Sequence, residues 1–506
     1  MDNFRELEIK LKSDKVFTKK ILNLPLITTK LLPESSKIKE LDNTYYDTQD
    51  FRLLEQGMAY RIRKVDETFT ATIKNAGRSE GGFSERNEFN VQLCSAQPAI
   101  EPFREVGLTE KLQQIIGQEE LVAIFKTVVT REIHLLQITE TTLVEMAVDK
   151  GFVIVGKNKV KIDEVELEII EGTKADLFSF VAELAKSVPL FIEPSSKFKR
   201  GLELLNNAEL IERFEDTSIK PVKDGNAETE LKRLLCYNAG AIMEIQNLLL
   251  QPQSLVDADR LVLNKVKRLL ALLAFAQPLF DEKEYIDLQQ GLSKMQEVLL
   301  ELYVVKRLAR QWRKVYNKLA ERGYKDALGK RLEMRQTEIS MQLGQQVKEG
   351  LWAQTLFNLV AWTETAQWEN ADYLGLETFA VYRFKEWHKE LLTCDLALKT
   401  RCRAAVAVAL EKVEMMLLVR RCIKIGTLDK QRFGALKKLH QRLKVLYFDI
   451  EKQSEVISLR KGSNSKLVHG DLGILVGWRL AQENEMHKKT LANWLIVKNI
   501  LKGKHK

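Results

Sequence analysis

The chain has little of what redox and soft-metal sites are built from: five cysteines and six histidines in 506 residues. Cys94, Cys236, Cys394, Cys402 and Cys422 are odd in number, scattered and never spaced Cys-x-x-Cys. That excludes a disulfide framework and a zinc site, and it fits a reducing cytosol. No apolar run reaches the ~18 residues of a membrane span, so no membrane partner is expected. No basic segment near the start leads into a continuous apolar stretch, so no secretory signal is expected and the location reads as cytoplasmic. His134 is the only histidine of the first two hundred residues and needs no functional role.

What the chain does have is charge placed with period two. Glu6, Glu8 and Lys10 alternate with Leu7, Ile9 and Leu11, which puts two acids and a base on one strand face. Alone, such a face is an ordinary solvated edge. The pattern recurs, however, with Arg61 and Arg63, with Arg86 and Glu88, with Glu145 and Asp149, and with Glu164, Glu166 and Glu168. A whole set of charged strand faces points to a charged interior.

Length and charge divide the chain. Residues 1–205 hold 29 Lys+Arg against 33 Asp+Glu, whereas residues 206–506 hold 50 against 37, so the net of +9 resides in the second part. Two domains are expected. Alternating runs at 58–65, 69–74, 84–93, 121–138, 142–148, 152–155 and 160–170 read as an antiparallel sheet. Asp149-Lys150-Gly151 and Gly156-Lys157-Asn158 read as its hairpin turns, and helices are predicted at 14–24 and 174–187. Residues 206–229 are polar and aperiodic and read as a linker. From Glu230 onward apolar residues recur at three and four, as in Leu261, Val262, Val266, Leu269, Leu270 and Leu273, which predicts a helical array. The expected fold is thus an α+β domain built on a closed antiparallel β-barrel over 1–205, followed by an all-α helical bundle over 230–506.

The chemistry follows from closing the sheet. Lys10, Arg61, Arg63, Lys74, Arg86, Arg131, Lys197 and Arg200 are spread over separate elements. Glu6, Glu8, Glu88, Glu145, Asp149, Glu164, Glu166 and Glu168 form the opposing acid set. A barrel of about eight strands has room inside for a small ligand. The cations suit a polyanion of phosphates. Carboxylates facing the same anion would repel it unless divalent cations lie between, which implies Mg²⁺ or Mn²⁺ on hard oxygen ligands.

Six ordered motifs then carry a specific resemblance: Glu-x-Glu-x-Lys at Glu6, Tyr45-Tyr46-Asp47-Thr48, Tyr60-Arg61-Ile62-Arg63, Thr72-Ile73-Lys74, Glu164-Val165-Glu166-Leu167-Glu168 and Ser196-Lys197-Phe198-Lys199-Arg200-Gly201. Over about residues 3–203 the chain resembles the CYTH family, the triphosphate tunnel metalloenzymes. The resemblance implies a closed barrel with a tunnel and metal-dependent hydrolysis or cyclisation of triphosphate substrates. It further implies that the eight cations grip the triphosphate and that Lys10, Glu166 and Glu168 are catalytic. Glu6 and Glu8 would hold the metal that bridges the phosphates; Glu166 and Glu168, with Glu164 nearby, would engage a second metal and the attacking water. Tyr45, Tyr46 and Asp47 read as structural.

The helical part resembles a divergent CHAD domain, which implies polyphosphate as a partner. Arg260, followed by Lys267-Arg268, stands where that family has its first histidine. Lys437 stands at the second, with His440 one turn later, and 465–475 partly matches the closing motif. Two basic stripes, Lys306, Arg307, Arg310, Arg313 and Lys314, and Lys437, Lys438, Arg442 and Lys444, recur at helical spacing. Either is a solvated face or a polyanion surface. Trp312, Trp352, Trp362, Trp368 and Trp387 are assigned to helix packing, and no RNA-recognition motif accompanies the stripes, so nucleic acid is a secondary reading. The fusion resembles that of bacterial inorganic triphosphatases, which makes inorganic triphosphate the expected substrate. Thiamine, nucleoside or RNA 5′-triphosphates, cyclisation by a class IV adenylate cyclase, and a non-enzymatic polyphosphate scaffold are the alternatives.

Overall fold

The computed structural model describes residues 5–75, 78–80, 83–205, 222, 225–250, 258–366, 368, 375–394, 396, 402–423 and 430–502. Most of the predicted linker, 206–229, lies outside them. The strands are β1 (Arg5–Lys12), β2 (Lys37–Asp47), β3 (Met58–Val65), β4 (Thr68–Asn75), β5 (Arg78–Glu80), β6 (Phe83–Leu93), β7 (Val122–Gln137), β8 (Leu143–Val155) and β9 (Asn158–Glu171). Helices α1 (Lys15–Leu22), α2 (Pro25–Thr28), α3 (Arg52–Glu55), α4 (Thr109–Ile116), α5 (Lys174–Ser187) and α6 (Lys197–Leu204) are set among them.

The strands hydrogen-bond in the order β1-β9-β8-β7-β2-β3-β4-β6, and β6 pairs back to β1, so eight antiparallel strands close a barrel; β5 adds to β6 alongside. Period-two alternation gives the wall two faces. Along β1, Leu7, Ile9 and Leu11 are buried on one face while Glu6, Glu8 and Lys10 share the other, which lines the interior cavity.

The β8 region differs from the sequence expectation. Asp149-Lys150-Gly151 is not a turn: β8 runs unbroken from Leu143 to Val155, with Gly151 paired to Ile162 of β9 and Val129 of β7. The glycine is there for closeness instead of curvature, since a Cβ on Gly151 would lie 2.0 Å from the Val128 carbonyl oxygen. The turn at Gly156 is present, and Gly156 has the positive φ of 56° that such a turn uses. Predicted and observed limits agree for β3 and α5, while β2, α3, α4 and α6 had no counterpart in the alternating runs.

One end of the barrel is filled. Tyr45 stacks on Phe125 at 4.5 Å between ring centroids, and Phe198 of α6 meets both rings at 5.5 and 5.7 Å. Leu41, Ala59, Val129, Val153, Ile162 and Leu202 complete this apolar cluster. Helix α6 is started by Ser196, whose hydroxyl accepts from the Lys199 N–H at 3.0 Å. Asp47 is structural, as expected: buried, its carboxylate accepts from the N–H groups of Thr48, Leu53 and Leu54 at 2.7, 3.0 and 3.0 Å and so starts α3.

The later residues form α7 (Ala227–Met243), α8 (Ala258–Ala276), α9 (Glu282–Ala320), α10 (Ala327–Lys348), α11 (Leu351–Thr365), α12 (Leu376–Thr393), α13 (Arg403–Ile423), α14 (Lys430–Lys461) and α15 (Lys466–Leu501). Trp312, Trp352, Trp368 and Trp387 are buried in this part of the chain, in keeping with a packing role. The chain makes two compact units. The first comprises Met1–Ser218, Ala239–Asn247 and Lys348–Thr365; the second comprises Ile219–Asn238, Leu248–Val347 and Ala366–Lys506. The barrel's unit therefore takes in α11, from far along the chain. Among the described residues no helix is long and apolar enough to cross a membrane.

Candidate active site in the barrel

A cavity of about 240 Å³ lies inside the barrel, bounded at one end by Tyr45 and Phe198. Its wall carries seven cations, Lys10, Arg61, Arg63, Lys74, Arg86, Arg131 and Lys197. It also carries seven acids, Glu6, Glu8, Glu88, Glu145, Asp149, Glu166 and Glu168. All but two of the residues singled out by alternation line this space. Glu164 and Arg200 do not; both are buried and ion-paired to one another beside it.

The charges form two groups. In the first, Lys197 of α6 reaches Asp149 at 2.7 Å and Glu166 at 2.9 Å and also bonds Glu164. Arg131 grips Asp149 through two nitrogens at 2.7 Å each, and its Nη2 meets Glu166 at 2.5 Å. Glu145 lies 3.7 Å from Arg131. Among the described residues only Asp149, Glu164 and Glu166 bring three carboxylates within 4.8 Å of one another. That cluster already encloses a cation, the Lys197 ammonium. Burial opposes the charge on Glu166, but Lys197, Arg131 and Lys10 outweigh it and hold the carboxyl well below the usual range. The same balance, led by Lys197 and Arg131, lowers Asp149.

The second group is short of positive charge. Lys74 contacts Glu6 at 2.7 Å and Glu88 at 2.5 Å, and Arg61 stands 3.6 Å from Glu88. Lys10 lies between the groups, 2.8 Å from Glu8 and 3.5 Å from Glu166. Burial, with Glu8 and Glu88 adding to it against Lys74, pushes Glu6 up to about 7. Burial together with Glu6 and Glu8 pushes Glu168 up to about 8. Glu88 goes the other way, because Lys74 and Arg61 outweigh its burial. The sequence motif pairs Glu166 with Glu168, two residues apart on one strand face. Their surroundings separate them: Glu166 is neutralised by three cations, whereas Glu168 faces Glu8 across the β1–β9 register.

Arg63 and Arg86 have no carboxylate partner among the described residues. Arg63 Nε donates to Asn43 Oδ1 at 2.9 Å, and Asn43 Nδ2 donates to Thr127 Oγ1 at 3.0 Å. Burial, then Arg61 and Arg131, lowers Arg63 to about 10. Asn43 was missed by sequence reasoning, as were Asn75, Ser196 and Phe198 on the cavity wall. The available signal was a lone polar residue at the inward spacing between Leu41 and Tyr45.

In the helical part, Lys306 pairs with Asp259 at 2.7 Å, and Lys444 lies over the Tyr303 ring at 5.7 Å. Arg313, Lys314, Lys437, Lys438 and Arg442 are exposed. Lys267 pairs with Glu414 at 2.9 Å, and His440 stands 3.6 Å from the same carboxylate.

Comparison with known proteins finds matches that include the barrel's part of the chain. An inorganic triphosphatase of Haemophilus influenzae is 30% identical over 212 residues, 42% of this chain and 58% of that protein. This chain thus spans a little over half the length of that curated relative. Among solved structures, PptA from Streptomyces chartreusis is similar at 13% identity and a TM-score of 0.40, covering 54% of this chain and 100% of that one. The Mimivirus capping enzyme triphosphatase is similar at 13% identity and a TM-score of 0.22, covering 36% of this chain and 86% of that one. Residues 5–202 match the CYTH domain. With its closed barrel and charged interior, this N-terminal part of the chain is similar to the CYTH domain family over those residues.

Proposed function

We propose that the barrel hydrolyses inorganic triphosphate to pyrophosphate and phosphate with the help of Mg²⁺ or Mn²⁺. The observation that carries this reading is the equal count of cations and acids around one cavity inside the barrel. A bare polyanion would make this evenly charged site strongly negative, whereas divalent metal arriving with a triphosphate offsets much of that charge.

The donor set fits such a metal. Glu6, Glu8 and Glu168 are hard oxygen donors, and the raised carboxyls of Glu6 and Glu168 mark a place where one more positive charge is favoured. These three would hold it. Asp149, Glu164 and Glu166 are poorer candidates because Lys197 already satisfies them. When bound, the metal supplies Lewis-acid polarisation of phosphoryl oxygen and a more acidic water.

The chain's own residues do the rest. Arg63 and Arg86, without a carboxylate partner among the described residues, gain most from phosphate oxygens and fix the substrate's position. Lys10, between the two groups, is suited to meet the negative charge that grows on the bridging oxygen as it leaves with pyrophosphate. Lys197 and Arg131 hold Glu166 ionised so that it can orient water. Water adds to the terminal phosphorus, the P–O bond to the pyrophosphate leaving group breaks, the water's proton passes to a phosphate oxygen or to solvent, and positioning with charge stabilisation supplies most of the catalysis. The aromatic plug supports a substrate with nothing large attached at that end.

The test measures phosphate release from inorganic triphosphate, ATP and thiamine triphosphate with each metal, for the natural chain and for Glu6→Gln and Glu168→Gln. Turnover fastest on inorganic triphosphate and lost in both variants is expected. Preference for ATP or thiamine triphosphate reassigns the substrate, and full activity in both variants removes the enzymatic reading. For the helical part we propose polyphosphate as partner, supported by its net charge of +13 over 206–506 and the exposed basic residues of α9 and α14.

A further inference from the structure

Helix α11 has the composition of a core element. Trp352, Ala353, Leu356, Phe357, Leu359, Val360, Ala361 and Thr363 are buried, more than one face of a surface helix accounts for. It belongs to the barrel's compact unit although it begins about 150 residues after the CYTH match ends. Its principal neighbour there is α5, which buries Leu177, Phe178, Val181, Leu184 and Ala185.

Two contacts fix its place. The first is the turn into α11. Gly350 has a positive φ of 79°, and a Cβ on it would lie 2.9 Å from the Ala185 carbonyl oxygen and 3.3 Å from Pro189 Cα. Backbone therefore meets backbone at the end of α5, with no room for a side chain. The second is aromatic. Phe83, the first residue of β6, meets Phe178 of α5 at 4.2 Å between centroids and Phe357 of α11 at 6.3 Å.

Phe83 occupies a sensitive position. It pairs with Ile9 of β1 at the seam that closes the barrel, and Arg86 pairs with Glu6 three residues further along the same strand. Arg86 and Glu88 then point into the cavity. On the outer face Glu85 is tied to Lys174 of α5 at 2.7 Å. The start of β6 is thus clamped from outside by α5, and α11 backs that clamp.

We infer that α11 is a working part of the barrel: Phe357, through Phe83, is a positioning residue for Arg86 and Glu88. The functional unit is discontinuous in sequence, and residues 5–202 alone lack the helix that backs α5. The inference rests on the proposed hydrolysis only for its kinetic test.

Phe357→Ala, Phe357→Leu and Gly350→Ala in the full chain provide that test, read by hydrogen exchange along β6 and by triphosphate turnover. Phe357→Ala should speed exchange at the start of β6 and lower kcat/KM by about ten- to a hundredfold, the range for small misplacements of catalytic groups. Phe357→Leu should recover most of the loss, and it serves as the informative variant if the alanine or Gly350 substitution prevents folding. In an Arg86→Ala background the Phe357→Ala effect should shrink by at least about twofold, because one of the two groups it positions is gone. Unchanged β6 exchange and unchanged kcat/KM in folded protein, or full additivity with Arg86→Ala, would overturn the inference. If the natural chain turns over no triphosphate, the proposed function fails, and the exchange along β6 still decides the role of α11.

Discussion

Glu8 of β1 and Glu168 of β9 are direct cross-strand partners inside the barrel, with Glu6 adding to the repulsion on Glu168. Like charges opposite one another on a sheet are destabilising, and burial together with this repulsion makes the acids retain a proton, Glu168 up to about 8 and Glu6 up to about 7. The sign of the linkage follows. A carboxyl whose folded value lies above the unfolded 4.5 contributes stability that is fully present below 4.5 and is lost as pH rises through about 7 to 8. The metal-free protein should therefore melt at lower temperature at pH 8.5 than at pH 5.5. Glu168→Gln should flatten that slope. Mg²⁺ or Mn²⁺ should restore the alkaline loss while releasing protons, measurable by calorimetry in buffers of different ionisation enthalpy. A metal response independent of pH would remove Glu6 and Glu168 from the metal site.

The other charge group predicts the opposite behaviour. Lys197 satisfies Asp149, Glu164 and Glu166 together, and Asp149 and Glu164 are completely buried. Removing one partner of a buried ionic cluster leaves uncompensated charge, at a cost of about 3–5 kcal/mol. Lys197→Met should lower the denaturant midpoint of the barrel's transition accordingly, and most strongly at neutral pH, where Asp149 and Glu166 are held ionised. A loss below about 1 kcal/mol, the range of exposed pairs, would mean that the acids have other support.

These two groups show how far the sequence speaks. Alternation places Glu6, Glu8, Lys10 and the rest of the charged set on inward faces, because strand geometry is local and its period is two. It cannot divide that set by environment. Glu166 and Glu168 look equivalent in sequence, yet one is neutralised and the other repelled, since the difference comes from α6 and from the β1–β9 register. The misread turn at Asp149–Gly151 has the same origin: a glycine that permits close approach between strands looks locally like one that permits a turn. Asn43 and α11 were not legible as parts of the barrel for a further reason. Their roles depend on partners at long sequence separation, Arg63 and Thr127 for one and Phe83 for the other.

Gly201 supplies a packing test of the plug. A Cβ there would lie 2.3 Å from the Phe125 ring, so α6 can seat Lys197 and Phe198 only because this residue has no side chain. Gly201→Ala should destabilise by about 1–3 kcal/mol through overpacking and should reduce turnover by shifting Lys197. Adding Phe125→Leu should return much of both. Two losses that simply add would show that the ring contact is not the cause.

Arg63 should separate stability from function. It is half-buried, has no carboxylate at ion-pair distance among the described residues, and is lowered to about 10 by desolvation and by Arg61 and Arg131. A base whose folded value lies below its unfolded 12.5 destabilises the fold wherever it is charged, which is throughout the physiological range. Arg63→Gln should therefore raise the melting temperature of the ligand-free protein. The same substitution removes a cation with nothing else to neutralise, so triphosphate binding should weaken by about tenfold or more, the worth of a lost charge-assisted hydrogen bond. Thermal melts and titrations on one preparation read both effects. Stabilisation with unchanged triphosphate affinity would mean that Arg63 serves neither the fold nor the substrate. Destabilisation would mean that its bond to Asn43 outweighs the repulsion from Arg61 and Arg131.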